Sequence, residues 1–366
     1  EVYLIAAQKD PATHDKWKAP LHRMLDRILE VGRTEDGLFV TRINPKTGEK
    51  LSQSLTDNWG YDYNAFYTVW LIDGTTAYRD YREVLSKADA AIVAVPTNLH
   101  YEVARAALQA GLHCLIEKPI TETLDQSKEL LAIASTQDLV LQVGHVERFN
   151  PAVMEAIRHI RAPRFITCER LGPYDPRVAN IGVVMDLMIH DLDILLTLVG
   201  CEVKSIEAIG ASLLSPTEDI CNVRLRFENG CIADVTASRI SLSKSRKIRI
   251  FQEDSYLSLD YVNASLKIAR KKAPLVKSLA DVEVVHAKLE KKEPLRTELE
   301  HFLSCIRHRH QPMVTGEHGM EALRLALRIT EELEHFHYQR NQGAEAWKGG
   351  WVSLEGLTGK LFGPKV

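Results

Sequence analysis

The chain has 366 residues, 45% hydrophobic and 26% charged, the composition of a soluble globular protein long enough for two domains each with its own core. A formal net charge of -3 offers no field that would draw nucleic acid or an anionic membrane, so binding has to come from a local pocket. No apolar run approaches the roughly 20 residues of a membrane span, and the opening Glu1-Val2-Tyr3-Leu4-Ile5-Ala6-Ala7 is too short and lacks the basic flank of a secretory signal, so the expected location is the cytoplasm.

In chain order, residues 1–73 form an atypical front. Glu1 to Ile5 can be a strand. His14 to Val31 carries apolar residues at helical spacing (Trp17, Leu21, Met24, Leu25, Ile28, Leu29), and Leu38 to Ile43 reads as a strand ending in the turn Asn44-Pro45-Lys46-Thr47-Gly48. An aromatic cluster follows: Trp59, Tyr61, Tyr63, Phe66, Tyr67 and Trp70. From about Lys87 short apolar runs alternate with amphipathic helices, the mark of βαβ units around a buried parallel sheet. Strands are predicted at Ala90 to Val95, Leu112 to Ile116 and Leu139 to Val143. Helices are predicted at Tyr101 to Ala110, closed by Gly111, and at Thr123 to Thr136. Residues 74–150 therefore read as half of a doubly wound α/β domain.

After Pro151 the pattern changes. A helix near Val153 to Ile160, a strand near Phe165 to Arg170 and an apolar helix Met185 to Val199 precede strands at Ile220 to Phe227, Cys231 to Ser238, Lys247 to Phe251 and Tyr256 to Leu259. Consecutive strands joined by turns such as Glu228-Asn229-Gly230 imply an antiparallel sheet, hence an α+β domain over 151–340, closed by helices around Arg296 to Arg307 and Gly319 to Glu334. The glycine-rich residues 341–366 read as an irregular extension.

Several segments carry chemistry. Val95-Pro96-Thr97-Asn98-Leu99-His100 lies between a strand and a helix, where open α/β sheets bind ligands; equally, Pro96 ends the strand while Thr97 or Asn98 caps the helix. Glu117-Lys118-Pro119 ends the next strand at the same edge. Pro119 biases Lys118 to an extended backbone, projecting an ammonium that can stabilise developing alkoxide charge, or simply a solvated loop. Asp186 and His190, four apart on an apolar helix, are either a carboxylate orienting a general base or a buried polar pair at a domain interface. Asp191 and Asp193 beside them make a metal site conceivable, but no second cluster supplies ligands. Arg148 and Asn150, between the two half-patterns, suit a substrate carboxylate or phosphate in an interdomain cleft, or an interdomain salt bridge. Arg270-Lys271-Lys272, Lys291-Lys292, His308-Arg309-His310 and His335-Phe336-His337 read as solvated surface. The six cysteines, Cys114, Cys168, Cys201, Cys221, Cys231 and Cys305, have no C-x-x-C pair and read as buried thiols in a reducing compartment.

In this order and spacing, Tyr78-Arg79-Asp80-Tyr81, Val95-Pro96-Thr97, Glu117-Lys118-Pro119, Gly144-x-x-x-Arg148-Phe149-Asn150-Pro151, Asp186-x-x-x-His190-Asp191-x-Asp193 and Thr315-Gly316-Glu317-His318-Gly319 resemble the Gfo/Idh/MocA oxidoreductase family. The resemblance implies a Rossmann-like domain binding NAD or NADP, then an α+β domain with an open, mainly antiparallel sheet that often mediates homo-oligomers. It implies oxidation or reduction of a sugar or nucleotide-sugar hydroxyl, closest to the branch acting on UDP-N-acetylhexosamines. It places Lys118, Asp186 and His190 at the catalytic positions, with His190 as base, Lys118 polarising the oxygen and Asp186 orienting His190. Pro96, Thr97, Asn98, His100, Glu117 and Lys118 fall near the cofactor, and Arg148, Asn150 and His190 near the substrate. The sequence departs from the family at the front: no G-x-G-x-x-G occurs, and Ala6-Ala7-Gln8 follows the first candidate strand. A sugar-binding protein on a dehydrogenase scaffold, or a fusion joined near Gly74 that lacks cofactor binding, would share that departure.

Overall fold

The computed structural model describes residues 3–5, 80–175, 180–290 and 292–344, with backbone alone over 3–5 and 334–344. The elements expected within 6–79, the tail beyond 344 and the side chains of His335 and His337 lie outside the described residues.

The first sheet runs β1 (Tyr3–Ile5), β2 (Ala90–Val93), β3 (His113–Glu117) and β4 (Leu141–Gly144) in that spatial order. β2, β3 and β4 are parallel. Ala90, Ala91 and Val93 of β2 and all but the last residue of β3 are buried, because helices cover both faces and leave no side to water. α1 (Thr97–Gln109) and α2 (Leu124–Thr136) pack on one face through Val103, Ala107, Leu108 and Leu130. On the other, Leu299, Phe302 and Cys305 press against Ala90, Leu115 and Val140. Thr123 closes α2 in the capping box that Thr123 and Gln126 form reciprocally. Gly111 takes φ +84 just past α1, as its helix-closing position requires. β1 instead pairs antiparallel with β2, Ile5 opposite Ala90, so it ends at the amino edge of β2 where a doubly wound sheet would run parallel.

The helix α1 starts at Thr97 rather than Tyr101, with Pro96 as its capping residue and no side-chain cap bond, so Thr97 and Asn98 lie in the first turn instead of capping it. The proline's fixed φ suits a helix entry, which the expectation of a longer strand overlooked.

The chain crosses through α3 (Pro151–Ile157) into an eight-stranded sheet of order β12-β11-β10-β9-β5-β8-β7-β6. Its strands are β5 (Phe165–Leu171), β6 (Val203–Ala211), β7 (Ile220–Phe227), β8 (Ile232–Ser238), β9 (Ser245–Phe251), β10 (Ser255–Asp260), β11 (Ser265–Lys271) and β12 (Val282–His286). Only β5 and β8 pair parallel. Strands β6, β11 and β12 lie outside those expected: β6 is half-exposed along most of its length, β11 ends in the basic Arg270-Lys271 run, and β12 is five residues long and exposed after its first, so none of the three shows a clean apolar alternation. One face packs on α4 (Ile189–Val199) and on α6 (Gly316–Ala344), which follows α5 (Pro294–His308), in a core of Leu192, Leu195, Val223, Ile250 and Ile329. The other face carries cross-strand pairs such as Arg224 with Asp234 at 2.7 Å. All six cysteines are free, five of them buried. Among the described residues no helix is long and apolar enough to cross a membrane.

Glu117 and Gly144 are direct partners at the carboxyl ends of β3 and β4. A Cβ on Gly144 would lie 2.8 Å from Glu117 Oε2 and 3.1 Å from Glu117 Cα. The second contact is backbone and cannot swing aside. Gly144→Ala is therefore expected to lower unfolding free energy by about 1–3 kcal/mol in urea titration; an unchanged midpoint would show that these strand ends part freely.

Candidate active site

Because Glu117 and Gly144 are in register, the residues after them, Lys118 and His145, leave the sheet side by side at its carboxyl edge, where parallel sheets bind ligands. The Lys118–Pro119 peptide is cis. From the second domain a π-helical turn, Val184–Met188, and the first turn of α4 bring Asp186 and His190 to the same place. Lys118 Nζ donates to the Asp186 carbonyl at 2.6 Å and stands 3.4 Å from its carboxylate. Arg239 and Glu218 hold the entry to that turn: Arg239 Nη1 donates to Ile181 O at 2.6 Å, and Val184 N donates to Glu218 at 3.1 Å. Arg239 is itself fixed by Asp219 at 2.7 Å. Burial alone would raise the Asp219 carboxyl, but donors from Leu214, Ser215 and Arg239 outweigh it and hold it well below the usual carboxylate range.

The expectation that Asp186 orients His190 is corrected here. The wide π turn shifts the i, i+4 stacking of an α-helix, the Asp186 carboxylate goes to Lys118, and His190 Nδ1 is sealed without a protein partner. Burial, then the charges of Lys118 and Arg170, push the His190 imidazole well below its ordinary pKa, so the ring is neutral at pH 7. His145, an unspecified position of the Gly144-x-x-x-Arg148 motif, is 1% exposed and stands perpendicular to His190 with ring centroids 6.3 Å apart. Neither of its ring nitrogens has a protein partner. Burial lowers its pKa, opposed by Asp193 and reinforced by Lys118. Buried polar groups without partners cost about 1–3 kcal/mol each, and three such nitrogens gather beside Lys118. Only the strand register shows that His145 neighbours Lys118, and register is not visible in one sequence.

His100, His145 and His190 all have folded pKa values below the free-histidine value of 6.5. Near and below that value the unfolded chain binds protons that the folded chain refuses, so these groups' contribution is full above pH 6.5 and is lost as pH falls through it toward the folded values. The urea midpoint is expected to drop between about pH 7.5 and pH 5.5; an equal midpoint at both would contradict burial of neutral rings.

Arg148 and Asn150 do not open onto a cleft. Arg148 is buried, its guanidinium donating to the Thr197 hydroxyl and to Met313 O at 3.1 Å, with Asp193 at 3.4 Å. Asn150 accepts from Ala152 N at 3.0 Å, capping α3, and donates to Glu147 at 3.3 Å. Both hold the interdomain connection, a short 3-10 turn (Val146–Phe149) sunk in the core. Behind it Arg170 makes two bonds to Asp191, at 2.7 and 2.9 Å, and one to Glu147 at 3.1 Å. With Asp191 and Asp193 each paired to arginine, no group of His, Cys, Asp or Glu among the described residues could hold a metal ion.

Of the residues expected near a cofactor, Pro96 and Asn98 are exposed and Thr97 half-buried at the start of α1, and Glu117 is half-buried at the end of β3. His100 turns inward: its nitrogens lie 2.8 Å from Pro119 O and 2.8 Å from Val95 O. A neutral ring donates to only one of them, and burial keeps it neutral, so His100 fastens the two strand ends to each other. His308, Arg309 and His310 are exposed. The described residues fit the nicotinamide end of a dinucleotide: the start of α1, which has no side-chain cap, the Lys118 ammonium and orphaned imidazole nitrogens share one sheet edge.

Residues 69–145 match a family described as an oxidoreductase family with an NAD-binding Rossmann fold, and residues 162–258 match the GFO/IDH/MocA C-terminal domain. The UDP-N-acetylglucosamine 3-dehydrogenase of Acidithiobacillus ferrooxidans is 36% identical over 258 residues, 69% of this chain and 81% of that protein. Its solved structure superposes with a TM-score of 0.69 at 34% identity, covering 75% of this chain and 87% of the other. The scyllo-inositol 2-dehydrogenase (NAD(+)) of Bacillus subtilis is 28% identical over 245 residues, 62% of this chain and 70% of that one. A levoglucosan dehydrogenase in complex with NADH and levoglucosan shares the fold at a TM-score of 0.62 and 18% identity, over 70% of this chain and 82% of that one.

Proposed function

The chain belongs to the Gfo/Idh/MocA oxidoreductase family, and from that premise we propose that it is an NAD(P)-dependent dehydrogenase acting on a ring hydroxyl of a UDP-N-acetylhexosamine. The observation that carries the reading is the convergence of Lys118, Asp186 and His190 at the carboxyl edge of the first sheet, the lysine 2.6 Å from the Asp186 carbonyl. The 36% identity to a UDP-N-acetylglucosamine 3-dehydrogenase supports the substrate class. A bound nicotinamide supplies the hydride acceptor. The Lys118 ammonium hydrogen-bonds the substrate oxygen and stabilises the negative charge that builds on it. The neutral His190 ring accepts the hydroxyl proton, which a ring already charged could not do. Asp186 holds Lys118 in place from both its carbonyl and its carboxylate. Pro96, Thr97, Asn98 and Glu117 line the cofactor side of the edge.

Phe165, Phe251 and Tyr256 lie in register across three strands, with ring centroids 5.6 and 4.9 Å apart, and Phe251 is exposed on the open sheet face. That aromatic row supports the further reading of a homo-oligomer formed through this sheet, checked by light scattering of the purified chain.

The deciding experiment titrates the full chain with NADH and NADPH, following nicotinamide fluorescence and thermal stability, then supplies UDP-N-acetylglucosamine with the oxidised cofactor. Saturable micromolar binding and cofactor reduction are expected. Stabilisation by the UDP-sugar without any dinucleotide effect would replace this reading with a sugar-binding protein, consistent with the missing glycine motif.

A further inference from the structure

We infer that His145 is a substrate-binding residue, hydrogen-bonding the polar substituent on the ring carbon next to the one whose hydroxyl faces His190. The inference rests on the dehydrogenase reading above. Four observations carry it. His145 follows Gly144, whose strand partner Glu117 precedes Lys118, so the imidazole and the ammonium leave adjacent strand ends at one edge. Its side chain is 1% exposed, yet Nδ1 and Nε2 have no protein partner, although nearly all buried imidazoles in folded proteins find one. Among the described residues the ring packed against it is His190, perpendicular at 6.3 Å between centroids and itself unpartnered at Nδ1. Its other charged or titratable neighbours are turned elsewhere: Asp193 Oδ1 to Arg148 at 3.4 Å, Lys118 to the Asp186 carbonyl at 2.6 Å, and His318 Nδ1 to Thr315 N at 3.1 Å.

Two perpendicular rings at this separation can each take one oxygen of a neighbouring pair without competing for the same atom. A hexopyranose presents such pairs along its hydroxyl-bearing carbons, and an N-acetylhexosamine adds an amide carbonyl that accepts from an imidazole N–H. One histidine then handles the reacting hydroxyl while the other fixes which carbon is presented, so that loss of His145 loosens sugar binding rather than the dinucleotide's.

The test compares wild type, His145→Ala and His145→Asn as full-length chains, by calorimetric titration with UDP-N-acetylglucosamine, fluorescence titration with NADH, and steady-state kinetics. His145→Ala is expected to weaken UDP-N-acetylglucosamine binding and raise its KM by about tenfold or more. NADH affinity should stay within about twofold, because no dinucleotide contact is lost. His145→Asn, which keeps a donor of similar reach, should recover part of the loss and carries the test if the alanine variant folds poorly. Unchanged sugar affinity in both variants, or a loss falling on NADH instead, overturns the inference. A wild-type chain that binds neither ligand overturns the dehydrogenase reading and this assignment with it, whereas one that turns over but ignores His145 overturns this assignment alone.

Discussion

Replacing Lys118 by alanine is expected to lower turnover by at least about 100-fold, the range found when a positioned donor or acid-base group is removed. The side chain is 18% exposed and bonded to Asp186 rather than packed in a core, so the variant should unfold within about 1 kcal/mol of wild type. Loss of rate without loss of stability separates a chemical role from a structural one. Arginine should not rescue, because a planar fork cannot present the point charge that Lys118 brings between the Asp186 carbonyl and the substrate oxygen. Asp186→Asn removes the lysine's ionic partner but leaves its carbonyl contact, so rate should suffer more than substrate affinity and by less than in Lys118→Ala. Near-normal turnover in Lys118→Ala, measured as cofactor reduction at saturating substrate, would remove Lys118 from the chemistry.

Where the pattern is local, the sequence was readable. Buried β3 shows as a short, mostly apolar run, α2 shows through apolar residues at helical spacing over Thr123 to Thr136, and Gly111 and Gly230 mark turns whose positive φ favours glycine. The π turn at Val184–Met188 was not readable, because it has the same apolar spacing as the helix it opens, and with it went the partner of Asp186. Arg148 and Asn150 were placed at the correct junction with two readings open, a substrate contact in a cleft or an interdomain salt bridge, and the buried Arg148–Asp193 pair at 3.4 Å fits the second. A sequence gives the order of the connection between the two sheets, and only the folded packing shows that the 3-10 turn sinks into the core and claims both side chains. His145 needed strand register for the same reason.

Arg170→Met is expected to cost about 3–5 kcal/mol of stability. Arg170 is 3% exposed; its guanidinium meets Asp191 with two bonds and Glu147 with a third, and lies 5.7 Å over the Tyr261 ring. Removing it leaves two carboxylates facing an apolar core, and Arg246, 3.4 Å from Glu147, answers only one of them. Lysine would restore a charge but not the fork, so Arg170→Lys should recover less than half the loss. Pairing Arg170→Met with Asp191→Leu removes the stranded charge as well as the cation and should recover a substantial part of it, measured as coupling in a double-mutant cycle by urea titration; additive losses would mean the pair contributes as two independent groups. The same network reaches the chemistry by sequence adjacency. Asp191 is the residue after His190, and Glu147 stands two past His145, so the arginine that ties those carboxylates together also fixes the two backbone segments that carry the imidazoles. Activity in Arg170→Met should therefore fall even at temperatures where the variant remains folded, with the loss shared between kcat and KM because both rings lose their support at once.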